Sequence, residues 1–138
     1  MLEFFQILNS NLISIFLTSF LLGSLIFFAS IIAPTVFRTL PEKNARFFIR
    51  NIFPKLYLWG IVVSFINSFS LIVLSKIAFY LSVTILLGFL FSRQILMPKI
   101  NKLSDTKNLK KFQQYHTLSV IIFITQLILM FLIIILIR

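Results

Sequence analysis

The chain has 138 residues, of which 59% are hydrophobic and 12% charged, whereas soluble domains carry about 25% charged residues. At a mean hydropathy of +1.06, a fold this small has too little interior to hide its apolar surface, which makes it an integral membrane protein with no separate soluble domain. The lack of cysteine excludes disulfides, zinc–thiolate sites and iron–sulfur clusters, and the net charge of +10 is arranged as membrane topology rather than nucleic-acid binding would arrange it.

A spanning helix needs about 20 mostly apolar residues, and four stretches reach or approach that length. The first span is predicted over residues 12–33, closed by Pro34. It has no Lys or Arg before Arg38, and its apolar run exceeds a signal-peptide core, so it reads as a retained span. The second is predicted over 56–74, just after Pro54. The third, 77–97, reaches full length only by carrying Arg93 and Gln94 toward Met97 and Pro98, with Arg93 snorkelling to the interface. The fourth, 116–137, is anchored by Arg138. The expected fold is all-α: a four-helix transmembrane bundle with short amphipathic cytoplasmic helices, one domain over residues 1–138.

Arg38, Lys43, Arg46, Arg50 and Lys55 lie between the first two spans, and Arg93, Lys99, Lys102, Lys107, Lys110 and Lys111 between the last two. Only Lys76 and Arg138 fall on the other side, so the count is 11 against 2. The positive-inside rule then puts both basic loops in the cytoplasm and both termini outside, in the cell (inner) membrane. The excess of Phe, Ile, Lys and Asn is the bias of AT-rich codons and points to a bacterial source. Residues 41–53 are expected to form an amphipathic helix in the headgroup layer, with Lys43, Arg46 and Arg50 opposite Ala45, Phe48, Ile49 and Ile52. In the second loop Ser104 would cap a helix starting at Asp105, with Lys107, Lys110 and Lys111 toward phosphates and Leu109 and Phe112 inward, either separate or continuing unbroken into the fourth span. Anchoring to anionic lipid headgroups is the first role of these segments; a surface for an anionic partner is the second.

Small and polar residues recur at helical spacing: Ser19, Gly23 and Ser30; Gly60, Ser64 and Ser68; Thr84, Gly88 and Ser92; Ser119 and Gln126. Such faces let membrane helices approach, and could also line a polar conduit. No charged residue lies centrally in any span, which removes the usual proton relay and ion-coupled site. Asn67 and Gln126 lie at similar depth and are expected to bond each other as structural glue or to touch a substrate. His116, the single histidine, stands where the fourth span meets the interface, in one layer with Arg38, Arg93 and Asn101. It is read as a helix-end hydrogen-bonding residue or as part of a polar site. One histidine cannot ligate a bis-His haem, and a His/Met site through Met97 or Met130 is a remote option. There is no nucleophile–base–orienter set, glycine-rich phosphate loop or carboxylate pair, so no catalytic residue, metal ligand or cofactor is assigned and the protein is expected not to be an enzyme.

The order Gly23, Phe27, 33–38 (APTVFR), Phe53-Pro54, Tyr57, then Pro98, Asn101, Phe112, His116, Ser119 and Gln126 resembles the transmembrane protein 205-like domain. The resemblance implies a four-span bundle of bacteria and eukaryotes with no established catalytic activity. It marks Pro34, Arg38, Pro54, Tyr57, Pro98, Asn101, Phe112 and His116 as a shared cytoplasmic-face cluster. At fold level that family is similar to copper-resistance-D-like bundles, some of which handle metals or haem; this chain lacks their additional histidines. The functions to weigh are therefore, first, binding or passing a small solute or ion as an oligomer. An accessory or assembly subunit of a larger membrane complex comes second, and a metal- or haem-handling protein third. The expected partners are the bilayer and either a second copy or another membrane protein, without nucleic acid. Helix, proline, basic segment and helix also occur twice, a faint sign of an internal repeat.

Overall fold

The computed structural model describes residues 2–138, with side chains from Asn9 onward. Helix α1 (2–39) runs as Leu2–Phe27, a π-helical turn Phe28–Ile32, and Ala33–Thr39. Helix α2 is Glu42–Leu74, and α4 is Leu109–Ile137. Helix α3, Lys76–Asp105, contains a second π-helical turn, Ser92–Leu96. No strand occurs among the described residues. All four helices are long and apolar enough to cross a membrane, and the protein is a multi-pass membrane protein built as an all-α four-helix bundle. Each helix packs on its neighbour in sequence, and α4 closes the ring on α1.

The connections are too short for anything but antiparallel neighbours. Leu40 and Pro41 join α1 to α2, and the Pro41 carbonyl accepts from the N–H groups of Asn44 and Ala45 at 2.9 Å. Ser75 alone joins α2 to α3, its Oγ accepting from the Ala78 N–H at 3.3 Å. Between α3 and α4, Lys107 adopts a left-handed φ of 53° and Asn108 caps α4 through the Lys111 N–H at 3.3 Å.

Three expectations about helix ends are corrected. Pro34 does not close α1, and Pro98 does not close α3. In each, a π-helical turn stands just before the proline, with the N–H of Ala33 bonded to the Phe28 carbonyl and that of Met97 to the Ser92 carbonyl. The widened turn accommodates the missing proline donor and its ring, so the helix passes through. The expected helix over 41–53 is likewise not separate: 42–53 forms the first turns of α2, while Lys110, Lys111 and Phe112 of the second segment run unbroken into the fourth span, and 97–105 forms the last turns of α3. Asp105 ends a helix rather than starting one, and Asn108 is the cap instead of Ser104. Continuity keeps the i→i−4 ladder, whereas a break would orphan four donors and four acceptors. At about 1.5 Å per residue α2 is about 50 Å long, against about 30 Å of hydrocarbon, so its basic turns project beyond the apolar layer. The repeated π turn and proline, at 28–34 and 92–98, give the two hairpins a shared device.

The core holds Leu21, Leu25, Val63, Leu71, Ile85, Phe89, Met130 and Ile133. Gly60 lets Phe89 into the α2–α3 seam, since a Cβ there would lie 2.6 Å from the ring. Gly88 leaves space for Gln126, whose Nε2 would be 2.8 Å from an added Cβ. On α2 the small and polar stripe faces inward as expected: Gly60, Ser64, Asn67 and Ser68 are all buried. On α1 it does not. Ser19, Gly23 and Ser30 are exposed, and the inward stripe is Ser14, Thr18, Leu21, Leu25 and Phe28. Thr84 on α3 also faces out, bonding its own helix at the Tyr80 carbonyl.

Candidate functional site

Asn67 and Gln126 are both buried but do not bond each other. Asn67 Nδ2 donates to Thr18 Oγ1 at 2.9 Å, tying α2 to α1. Gln126 Nε2 donates to the Ile85 carbonyl at 3.1 Å, tying α4 to α3. Each amide thus reaches the helix before its own, and the expected cross-bundle pair is replaced by two ties on opposite sides. Ser68 Oγ and Ser82 Oγ, 3.0 Å apart, add a polar contact between α2 and α3. Beside Thr18, Ser64, Asn67 and Ser82 lies a void of about 10 Å³, the size of one water. Ser64 Oγ and Asn67 Oδ1 have no partner among the described residues, which suits that void to a single bridging water.

The large opening is elsewhere. A cleft of about 830 Å³ lies at the basic end of the bundle, within the size range of small-molecule sites. Its walls come from all four helices. Phe28, Ala29, Ala33 and Phe37 of α1 face Val120, Phe123, Ile124 and Leu127 of α4, and α2 and α3 form the back. The back is built on one α2 stripe, Arg46, Arg50, Phe53 and Tyr57, spaced by four, three and four residues so that all share one face. Phe53 stacks edge-on against Phe28 with ring centres 5.3 Å apart, and Tyr57 stands 5.6 Å from Phe53 and 6.2 Å from Phe89. This row of rings fixes the floor from α1 across to α3.

Polar groups gather at the mouth. Arg46 donates through Nη2 to Glu42 Oε1 at 2.6 Å and through Nη1 to Ser104 Oγ at 3.1 Å. Arg50 donates through Nη2 to Asp105 Oδ1 and to the Asn101 carbonyl. Two of the chain's three acids are therefore engaged here, holding the projecting turns of α2 against those of α3. On α4, Phe112 and His116 stack with ring centres 5.8 Å apart and planes 2° from parallel, both lining the cleft. Lys99 Nζ sits 5.5 Å above the Tyr115 ring and fastens α3 to α4 behind them. Tyr57 is buried, Asn101 half-buried and His116 exposed, and none of their side chains has a hydrogen-bond partner among the described residues.

Of the expected interfacial cluster, Tyr57, Asn101 and His116 thus share the cleft, and Phe112 joins them. Arg38 and Arg93 do not line it. Arg38 is exposed. Arg93 is turned into the α2–α3 seam, where its Nε donates to the Pro54 carbonyl at 3.3 Å and ties α3 to α2. Arg46 and Arg50, expected on a separate helix over 41–53, line the cleft instead. The signal was present in the spacing of Arg46, Arg50, Phe53 and Tyr57, but only for a helix that passes through Pro54. Among the described residues no group of three His, Cys, Asp or Glu side chains converges.

The profile of a domain of unknown function, DUF4149, matches residues 16–109, which span α1 to α3 of the cleft and end where α4 begins. A relative from Aquifex aeolicus (strain VF5), described as an uncharacterized protein, is 33% identical over 103 residues, covering 75% of this chain and 77% of its own. No solved structure matches.

Proposed function

The chain belongs to the family of the domain of unknown function DUF4149, and from that premise we propose that it is a non-enzymatic membrane protein that binds a small solute in the cleft at its basic end. The single observation behind this reading is the cleft itself: about 830 Å³ with an apolar body and polar groups at one mouth, the usual build of a ligand site. Binding is favoured over passage. The middle of the bundle holds a separate void of about 10 Å³ that shares no lining residue with the cleft, which supports binding over passage through a single copy. Orientation follows the charge count, with the basic end cytoplasmic, both termini outside, and the inner membrane of a bacterium as the location. The likeness to transmembrane protein 205-like domains is consistent with this reading, since Tyr57, Asn101, Phe112 and His116 all line the cleft.

A second reading, association with another copy or a partner subunit, is favoured by α1. Ser19, Gly23 and Ser30 present small residues outward, and a Cβ at Gly23 would meet nothing within 4 Å, as on helices that pack closely in membranes. Native mass spectrometry of protein released gently from its own membranes tests both. The binding reading expects a discrete small-molecule adduct in the wild type that is lost in Ala33→Phe, which fills the cleft. An adduct that survives Ala33→Phe refutes the cleft as the site, and a dimer lost in Gly23→Leu supports the second reading.

A further inference from the structure

We infer that the cleft takes a phosphate-headed lipid, with one acyl chain between α1 and α4 and the phosphate beside Arg46 and Arg50. This rests on the reading of the cleft as a binding site and adds the chemical class of its occupant. Three observations carry it. The apolar walls, Ala29 and Ala33 on one side and Val120, Ile124 and Leu127 on the other, belong to the two helices that flank the opening, and Ala29 and Ile124 are themselves exposed. Ala29 and Ala33, four residues apart, are the small side chains of the α1 wall.

The mouth, secondly, is rich in donors. Arg46 and Arg50 each place a guanidinium there, and each carries five N–H donors, of which the chain's own partners take only some. The Asn101 amide, the Tyr57 hydroxyl and the His116 ring add groups with no hydrogen-bond partner among the described residues. Such a set suits the oxygens of a phosphate, bound by charge-assisted hydrogen bonds. Thirdly, the surrounding layer is strongly cationic. Eleven of the 13 Lys and Arg residues lie at this end, against the two engaged acids Glu42 and Asp105.

The physics of a membrane site assigns the discrimination to the head. Moving an acyl chain from bilayer to apolar cleft gains little, because lipid tails are as apolar as the walls. Selection must come from the arginines, so an anionic phosphate head should be preferred over a zwitterionic one by about tenfold or more.

The cysteine-free chain makes a direct test simple. A fluorophore on Ile124→Cys, in the cleft, is compared with one on Phe131→Cys, which is exposed outside it. Full-length protein is placed in phosphatidylcholine vesicles doped with phosphatidic acid, phosphatidylcholine or diacylglycerol carrying the same brominated chains. Quenching at Ile124→Cys by brominated phosphatidic acid is expected to half-saturate at about one tenth of the mole fraction that brominated phosphatidylcholine needs, with no such preference at Phe131→Cys. The preference is expected to vanish in Arg46→Gln/Arg50→Gln. Asn101→Asp, which adds a negative charge at the mouth, is expected to abolish it as well and serves if the double variant does not fold. Equal quenching by all three lipids, still suppressed by Ala33→Phe, overturns the phosphate assignment and leaves the cleft as a site for a neutral chain. Displacement of phosphatidic acid by millimolar inorganic phosphate overturns the lipid assignment in favour of free phosphate. Quenching at Ile124→Cys that matches Phe131→Cys for every lipid, and is unmoved by Ala33→Phe, means annular lipid only and overturns both the inference and the reading beneath it.

Discussion

Replacing Gly60 by Ala probes the seam that holds the floor of the cleft. The new Cβ would stand 2.6, 2.7 and 2.8 Å from three atoms of the Phe89 ring, closer than any real contact. Phe89 is fully buried, and its ring sits 6.2 Å from that of Tyr57, so it cannot retreat without moving the cleft floor. Overpacking of this kind costs about 1–3 kcal/mol. Alanine's helix propensity returns about 1 kcal/mol relative to glycine, which leaves a net destabilisation of up to about 2 kcal/mol. Phe89→Leu alone should also destabilise, by loss of ring packing. Combined with Gly60→Ala it removes the obstacle, so the double variant should be more stable than the sum of the singles by about 1–2 kcal/mol, well above the scatter expected of independent sites. Reversible unfolding in bicelles, followed by far-ultraviolet circular dichroism, measures all four corners of the cycle. Additivity within about 0.5 kcal/mol would refute the close approach of α2 and α3 at this point.

Asn67→Leu and Gln126→Leu are expected to act additively in the same unfolding assay, because each amide bonds a different helix, whereas Asn67→Leu and Thr18→Val should couple by about 0.6 kcal/mol, the average for such pairs in membranes. Lys107→Gly should stabilise by about 0.5–1 kcal/mol, since Lys107 holds a left-handed conformation that glycine adopts without strain. Asp105→Asn is expected to cost no more than about 1 kcal/mol, its pair with Arg50 being partly open to solvent; a larger loss would mean that this contact, rather than the seam below it, holds α2 to α3. Single cysteines at Asn9 and Lys107 should react with an impermeant thiol reagent from opposite sides of the membrane, and reaction from one side would contradict the four-span topology.

Helix number, the antiparallel order and the clustering of basic residues were legible in the sequence because each rests on a long-range sum: apolar length for the spans, charge asymmetry for the loops. Helix ends were not. Pro34, Pro54 and Pro98 carry the local mark of a helix boundary, yet π turns stand before two of them and α2 runs on through the third. That misreading displaced the site. With α2 broken at Pro54, Arg46 and Arg50 belong to a separate surface helix; with α2 continuous, they fall on the stripe of Phe53 and Tyr57. His116 and Asn101 were legible from their place in the interfacial layer, and Tyr57 through the resemblance, which also marked Arg38; Arg38 and Arg93 nonetheless lie off the cleft, because a shared layer does not fix which way a side chain turns. The partners of Asn67 and Gln126 were likewise hidden, since equal depth does not say which neighbouring helix an amide faces.

The claim that this protein holds a ligand at its basic end is tested most directly by a photoreactive side chain placed at Phe123, which lines the cleft, and irradiated in native membranes. Intact-mass analysis is expected to find one dominant small-molecule adduct there, and only the mixed bulk lipids at the control position Phe131. The same lipid mixture at both positions would contradict it.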